Sequence, residues 1–306
     1  MKSVFITGSS GFVGRHLVRR LLGGEAQTIS CLSRTEATTD LEVPAGKVVQ
    51  HIRGSLFDTA LYERELAQSE CVVHLAAATG KAAPEEHFRV NLEGTRTLVS
   101  ACQQAGVRNF LHISTIAVKF PDKTRYPYAQ AKQQAEDVVR ASGLRFTIVR
   151  PTMVLGRGSA VLEGLARLAA LPIVPIFGDG KTRVQPIEVN DLANLLAAVI
   201  DTERFRGETL ELGGPQSLTI EELLCMIALL RKSGRPRTVH LPMGLLLPVL
   251  SFLESFLYAH LPFTVGQLAT FRFDGTAEGN SLWEERKSQL KTPGAMLGPL
   301  FAHESR

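Results

Sequence analysis

Three residues in the middle of the chain have the types and spacing needed for acid–base chemistry. Tyr128 and Lys132 are four positions apart, so on a helix they would lie on one face. A lysine ammonium beside a phenol would stabilise the phenolate and lower the pKa of the tyrosine toward working pH. Thr115 ends an upstream apolar segment, and its hydroxyl could orient the same substrate oxygen. The pattern predicts a general acid/base acting at a carbonyl or hydroxyl. An exposed helical pair without a catalytic role is the alternative.

The first fourteen residues carry a pattern that would bind a dinucleotide. Val4–Thr7 is an apolar, β-branched run typical of a buried strand, and Gly8, Gly11 and Gly14 follow it at once. In a strand–turn–helix these glycines permit the tight turn, the approach of the backbone to a pyrophosphate, and close packing of the helix on the sheet. The first N–H groups of the helix would then face the phosphates. A glycine-rich turn without a ligand is the alternative.

The end of the second predicted strand indicates which dinucleotide is bound. Ser33 and Arg34 follow the apolar run 28–32, at the place that meets the adenosine ribose. A carboxylate there would suit NAD, whereas a guanidinium suits the 2′-phosphate of NADP, and Arg15 adds a second guanidinium. We therefore expect NADP to be preferred over NAD. NAD is the alternative cofactor, because Glu36 offers a carboxylate close by and Arg34 could be a solvated loop charge that binds no phosphate.

Strands alternate with helices through the first half of the chain. Predicted strands cover residues 4–7, 28–32, 48–54, 71–75, 109–113 and 145–150, with helices from the first glycines, from about Glu85 to Ala105, and from Tyr128 to about Ser142. The alternation predicts an α/β fold with a Rossmann-type doubly wound parallel sheet. We expect an NAD(P)-binding domain over residues 1–155, to which Arg183–Ile200 returns, and a smaller C-terminal substrate lobe over residues 156–306.

Two helix starts are marked in the second half. Asp191 is predicted to cap a helix that runs to about Ile200. Thr219 and Glu222 have the spacing of a capping box, in which each side chain bonds the backbone N–H of the other residue.

Composition narrows the class of protein. The hydrophobic content of 44% and charged content of 21% suit an ordinary globular protein. The net charge of +4, without a basic recognition helix, gives no support for a nucleic-acid partner or a transcriptional redox sensor. Four widely spaced cysteines predict reduced thiols in a cytoplasmic protein, and we expect no leader because the first strand begins almost at Met1.

One apolar run stands apart from this pattern. Residues 241–263 are rich in Leu and Phe but are interrupted by prolines, a glutamate and a histidine. The interruptions favour a helical element of the lobe over a membrane span. The alternative is a peripheral membrane or protein-complex contact.

Several motifs together carry a family resemblance. They are Thr7–Gly14, Val72–Ala77, Asn91–Thr95, His112–Thr115, Tyr128-x-x-x-Lys132, Arg150–Gly156, Gly178–Gly180 and Gln185–Ala193. With them the chain resembles the extended or atypical short-chain dehydrogenases/reductases, and is similar to the NAD-dependent epimerases/dehydratases acting on nucleotide sugars. It is also similar to the branch that includes the nucleotide-binding accessory subunit of respiratory complex I.

The resemblance implies roles for particular residues. The catalytic triad would be Thr115, Tyr128 and Lys132, and no metal is expected. Ser55 stands where the family has an Asp that bonds the adenine amine, so that contact should be weaker. The implied cofactor-binding residues are Gly8, Ser10, Gly11, Phe12, Val13, Gly14, Ser33, Arg34, Ser55, Leu56, Leu75, Ala76, Ala77, Asn91, Thr115, Tyr128, Lys132, Pro151 and Val154.

The implied function is that of an NAD(P)-dependent oxidoreductase or epimerase/dehydratase. Tyr128 would act as the general acid/base during hydride transfer at a carbonyl or hydroxyl carbon, with a nucleotide sugar as one candidate substrate. The alternative is a non-catalytic NADPH-binding subunit or assembly factor of a membrane protein complex. A homodimer is one candidate for the quaternary structure.

Overall fold

The chain divides into two compact units, each assembled from separate segments. The computed structural model describes residues 3–35, 42–202, 204–231, 236–244 and 270–302, so the apolar run 241–263 lies almost wholly outside the described residues. The first unit comprises Met1–Thr115, Tyr128–Arg150 and Leu192–Leu210, and the second comprises Ile116–Pro127, Pro151–Asp191 and Glu211–Arg306. Among the helices of the described ranges, none has the length and apolar content needed to cross a bilayer.

Both units combine strands with helices. The strands are β1 (Ser3–Thr7), β2 (Thr28–Ser33), β3 (Val48–Arg53), β4 (Cys71–His74), β5 (Asn109–Ile113), β6 (Arg145–Pro151), β7 (Val154–Leu155), β8 (Ile173–Phe177), β9 (Arg183–Val184), β10 (Ile187–Glu188), β11 (Thr209–Leu212), β12 (Leu218–Thr219) and β13 (Arg237–Leu241). The α-helices are α1 (Phe12–Leu22), α2 (Glu63–Ala67), α3 (Pro84–Phe88), α4 (Gly94–Gln104), α5 (Pro127–Arg140), α6 (Ala160–Ala169), α7 (Val189–Asp201), α8 (Ile220–Arg231), α9 (Ser281–Arg286) and α10 (Pro293–Phe301).

A seven-stranded sheet organises the first unit. Its strand order is β11-β6-β5-β4-β1-β2-β3, and the pairs from β6 through to β3 are parallel. The predicted doubly wound α/β fold is confirmed. The order reverses between β1 and β4, and ligands of such sheets bind outside the carboxyl ends of the strands at this point. Gly8, which follows β1, and Leu75, which follows β4, therefore lie at the position where a cofactor is expected.

Apolar strands form the core of the first unit because helices cover both faces of a parallel sheet. Phe5 on β1, Val72 on β4, Phe110 on β5 and Ile148 on β6 are buried together with Leu98 of α4. The near-continuous apolar runs seen in the sequence are what a sheet buried on both faces requires.

The second unit has its own apolar core. Helices α6, α8 and α10 pack around strand β8, with Leu165, Ile176, Leu223, Ile227 and Leu297 among the buried residues. Strand β13 pairs in parallel with β8.

The predicted long helix over residues 85–105 is wrong in one respect. A π-helical turn, Arg89–Glu93, separates α3 from α4. Such turns carry one extra residue within a helix and are frequent at functional sites. Asn91 lies in this turn and is 1% exposed, so the alternative of a simply exposed Asn91 is excluded.

The two predicted helix starts differ in outcome. The capping box is confirmed: the Thr219 N–H donates to Glu222 Oε2 at 2.7 Å, and the Glu222 N–H donates to Thr219 Oγ1 at 3.1 Å. The expected cap by Asp191 is wrong, because α7 begins two residues earlier. Glu188 Oε2 accepts the N–H groups of Asn190 and Asp191 instead, at 3.1 and 3.3 Å.

Thr219→Ala should lower the free energy of unfolding by about 1 kcal/mol, because it removes the acceptor for an N–H in the first turn of α8. Urea titration at constant pH measures the loss. Thr97→Ala is the matched control, since the Thr97 hydroxyl donates to the Glu93 carbonyl one turn earlier and alanine has the higher helix propensity. Equal losses in the two variants would contradict a specific capping role.

Candidate active site

A cleft lies at the carboxyl edge of the sheet in the first unit. It opens to solvent, and the space within it, counted out to its open mouth, is about 840 Å³. Ten of the predicted cofactor-binding residues line it: Gly8, Ser10, Gly11, Ser33, Arg34, Ser55, Leu56, Leu75, Ala76 and Ala77. The four loops that follow β1 to β4 therefore converge on one cavity.

The glycine turn fits a pyrophosphate. Gly8 has φ +73°, and a Cβ there would lie 2.6 Å from the backbone nitrogen of Ala76. A Cβ on Gly14 would lie 2.2 Å from the carbonyl oxygen of Gly8, so the start of α1 is pressed against the turn. In the described coordinates no side chain caps α1 and its first turn has no acidic residue. The leading N–H groups of α1, which include those of Phe12 and Val13, are thus suited to an anion.

The outer end of the cleft carries positive charge. Arg34 is exposed there, and Arg89 lines the same cavity. The Arg89 guanidinium lies 5.4 Å from the centre of the Phe57 ring, and it donates two hydrogen bonds to Glu86 at 2.8 and 2.9 Å. These hydrogen bonds hold the pKa of the Glu86 carboxyl below its ordinary value. The sequence analysis missed Arg89 and Phe57, although the i,i+3 spacing of Glu86 and Arg89 was a visible signal.

The predicted triad is brought together within the first unit. Thr115 follows β5, and its side chain hydrogen-bonds that of Tyr128 in the first turn of α5. Lys132 lies one turn further along α5, and its Nζ donates to the carbonyl oxygen of Ile113 at 2.6 Å. The ring of His87 lies against the Tyr128 ring, with the centroids 5.7 Å apart. None of the three triad residues lines the glycine-turn cleft itself.

The expected direction of the tyrosine pKa is wrong. Burial raises the pKa of Tyr128 to about 12, although the hydrogen bond from Thr115 acts in the opposite direction. Burial also lowers the pKa of Lys132 to about 7, against the attraction of Glu136. Both groups have lost water, and removal from water disfavours the phenolate and the ammonium alike. At neutral pH the phenol therefore keeps its proton and is a donor.

A buried ionic network lies one helical turn beyond Lys132. The Glu136 carboxylate accepts hydrogen bonds from Ser114 Oγ at 2.6 Å, from Arg150 at 2.7 and 2.9 Å, and from Arg140 at 2.7 Å. Burial raises the pKa of Glu136, but the bonds from Arg150 and Ser114 outweigh it and keep the carboxyl ionised. The sequence analysis missed this network, although the i,i+4 spacing of Lys132, Glu136 and Arg140 was present.

Asn91 holds the loop that follows β4. Its Oδ1 accepts the N–H of Ala78 at 2.8 Å, and its Nδ2 donates to the carbonyl oxygen of Ala78 at 3.0 Å. Both polar atoms of the amide therefore bond the backbone of Ala78, next to Ala76 and Ala77, which line the cleft. Asn91 shapes the wall of the cleft through this loop.

The remaining predicted positions lie at strand ends. Pro151 ends β6 and Val154 begins β7, and both belong to the second unit. Among the described residues, no three His, Cys, Asp or Glu side chains form a group that could hold a metal ion.

The parallel sheet, the glycine turn and the Tyr-x-x-x-Lys helix together define a Rossmann-type nucleotide-binding protein of the extended short-chain dehydrogenase/reductase class. The chain belongs to the NAD dependent epimerase/dehydratase family, whose sequence profile matches residues 4–213. Members of this family are oxidoreductase-type enzymes, so the predicted enzyme class is confirmed.

Individual relatives have different activities in their names. Ceramide reductase of Caulobacter vibrioides is 34% identical over 203 residues, which are 65% of this chain and 61% of that protein. The mitochondrial NADH-ubiquinone oxidoreductase 40 kDa subunit of Neurospora crassa is 27% identical, covering 83% of this chain and 66% of its own. The solved structure of DesIV, a dTDP-glucose 4,6-dehydratase from Streptomyces venezuelae with NAD and DAU bound, aligns with TM-score 0.73 at 22% identity, covering 99% of this chain and 97% of that chain.

Proposed function

We propose that this chain is an NAD(P)-dependent oxidoreductase in which Tyr128 donates a proton to a carbonyl oxygen of the substrate. The observation that carries the proposal is the hydrogen bond between Thr115 and Tyr128, in the same unit as the glycine turn. A bound nicotinamide cofactor would supply the hydride. Because burial raises its pKa, the Tyr128 phenol holds the proton until it is needed, and Thr115 orients the phenolic oxygen.

The substrate is proposed from the chemistry that the relatives share. The relatives are named as a ceramide reductase in one case and as dTDP-glucose 4,6-dehydratases in several others. We propose a nucleotide sugar as the substrate class, in line with the solved complexes of UDP-glucuronic acid and UDP-glucose. Incubation with NAD(P) and a panel of dTDP-glucose, UDP-glucuronic acid and ceramide, followed by product mass spectrometry, distinguishes these classes. Turnover of ceramide alone would refute the nucleotide-sugar assignment.

Preference for NADP is proposed from the charge at the outer end of the cleft. Arg34 begins the loop after β2. Arg89 lines the same cavity, and its acidic partner is Glu86. A 2′-phosphate would place its negative charge between two guanidinium groups, which bind phosphate oxygens well.

Arg34→Ala should weaken NADPH binding by about 10- to 100-fold, the loss expected for hydrogen bonds to a charged group. NADH lacks the 2′-phosphate, so its dissociation constant should change by less than about threefold. Fluorescence titration of both nucleotides measures the two effects. Arg64→Ala removes an exposed arginine of α2 that is outside the cleft lining, and it controls for net charge. Unchanged NADPH affinity in Arg34→Ala would exclude the assignment.

A non-catalytic cofactor-binding subunit is the second candidate. The specific observation in its favour is the similarity to the complex I subunit of Neurospora crassa over 83% of this chain. This candidate predicts that NADPH raises the melting temperature while no member of a carbonyl panel is reduced. A cytoplasmic location and a homodimer stay predictions.

A further inference from the structure

A buried contact joins Lys132 to His112, a histidine to which neither the implied triad nor the mechanism above gives a role. Lys132 is 2% exposed and His112, on β5, is fully buried. Lys132 Nζ lies 3.3 Å from His112 Nε2 and 2.6 Å from the carbonyl oxygen of Ile113. An ammonium has three N–H donors and no acceptor. His112 and Ile113 therefore occupy two of the three donors.

The imidazole of His112 is held neutral. Burial lowers the pKa of His112 well below its ordinary value, and the positive charge of Lys132 acts in the same direction. A neutral imidazole has one nitrogen that accepts and one that donates. Whenever Lys132 is charged, Nε2 must be the acceptor, so the hydrogen lies on Nδ1. That Nδ1 is buried and has no hydrogen-bond partner among the residues that the structure describes.

The neighbouring buried histidine has a different environment. His74 Nδ1 lies 2.7 Å from Thr7 Oγ1 and His74 Nε2 lies 3.0 Å from Thr95 Oγ1. Both of its ring nitrogens are therefore committed to threonine hydroxyls. The rings of His74 and His112 are 5.4 Å apart, yet the hydrogen bond to Lys132 is made by His112.

We propose that His112 is a positioning residue for Lys132. The unprotonated Nε2 of His112 accepts a hydrogen bond from the ammonium. Together with the Ile113 carbonyl, it fixes the direction of the third N–H of Lys132. The four bonds of Lys132 Nζ point to the corners of a tetrahedron. The side-chain carbon and the two acceptors fix three of these bonds, so the direction of the remaining N–H is set as well. The inference rests on the proposed function in that Lys132 belongs to the catalytic group. It concerns only residues of the first unit.

The charge of Lys132 should depend on this acceptor. The other ionisable groups that interact with Lys132 are Glu136 on α5 and His74 on β4. His74 and Arg140 also act on His112. Arg140 and Arg150 share the charge of Glu136, so Glu136 is not a dedicated partner of the ammonium. A hydrogen bond to the charged form raises a lysine pKa, and its loss should lower it.

The first test uses the unaltered protein without cofactor. Long-range ¹H–¹⁵N NMR of the histidine side chains reports the tautomer of each ring, and His112→Gln identifies the signal of His112. Below the titration midpoint of Lys132, His112 should be neutral with its hydrogen on Nδ1. An Nε2–H tautomer or an imidazolium at that pH would overturn the proposal.

The second test follows the ¹³Cε shift of Lys132 with pH. His112→Met should lower the Lys132 midpoint by about one pH unit, and His112→Gln, which retains an acceptor, should restore most of it. His74→Gln alters the same buried layer without removing the acceptor, so it should leave the midpoint in place. A midpoint unchanged in His112→Met, or moved equally by His74→Gln, would refute the proposal.

The two proposals fail separately. The NMR readouts need neither substrate nor turnover, so an inactive protein would refute the reductase assignment and leave the histidine assignment standing. If His112→Met fails to fold, the tautomer in the unaltered protein still decides the question.

Discussion

Tyr128→Phe should lower kcat/KM for carbonyl reduction by about 100- to 10,000-fold, the usual contribution of a positioned proton donor. The substitution removes only the hydroxyl that Thr115 orients and keeps the ring that packs against His87. Stability should therefore change little, and the loss should fall on the proton-transfer step. Steady-state oxidation of NADPH by a carbonyl substrate that the unaltered enzyme reduces measures the ratio.

A control variant and a binding measurement accompany this substitution. Tyr126→Phe removes a neighbouring phenol outside the proposed triad, and it should retain activity within about twofold of the unaltered enzyme. The loss in kcat/KM for Tyr128→Phe should exceed any loss in NADPH affinity, which separates lost chemistry from lost binding. Equal turnover by Tyr128→Phe and the unaltered enzyme would show that another group supplies the proton.

Gly14→Ala should weaken cofactor binding and destabilise the fold at the same time. The added Cβ would lie 2.2 Å from the carbonyl oxygen of Gly8 and 2.8 Å from Cα of Ser9, and backbone atoms cannot rotate away. The glycine turn must open or α1 must shift. We expect a loss of about 1–3 kcal/mol in the free energy of unfolding, as for other overpacked sites, and at least about a tenfold loss in NADPH affinity.

A second helical glycine provides the control for this substitution. Gly298 lies within α10, and a Cβ there meets no atom within 4 Å. Gly298→Ala should therefore be neutral or slightly stabilising, because alanine has the higher helix propensity. Denaturant titrations and NADPH titrations of both variants test the contrast. Full NADPH affinity in Gly14→Ala would show that the turn does not hold the cofactor.

The parts of the site that the sequence predicts are those encoded over short distances. The run Val4–Thr7 followed by three glycines specifies a strand, a turn and a helix, and the structure has all three in that order. The helical spacing of Tyr128 and Lys132 likewise placed them one turn apart on α5. Periodicity and turn residues are sufficient for such local features.

The parts that sequence analysis missed depend on burial and on contacts distant in the chain. The pKa of Tyr128 rises because the surrounding residues exclude water, and no motif records how much water remains. Arg150 reaches Glu136 from a neighbouring strand, fourteen positions away. The π-helical turn was also invisible, because Asn91 is drawn inward by the backbone of Ala78 and its sequence neighbours give no sign of the extra residue.

The interleaving of the two compact units limits how the protein can be divided. Most of α7 and the first half of β11 belong to the first unit, although they follow residues 151–191 of the second unit in the chain. Strand β11 pairs with the edge of β6. A product truncated near Arg150 would lose that covering strand and leave β6 as a bare edge, which is a template for aggregation. The nucleotide-binding portion therefore cannot be released by a single proteolytic cut. Recombination that transplants this binding function into another protein has to carry both stretches together.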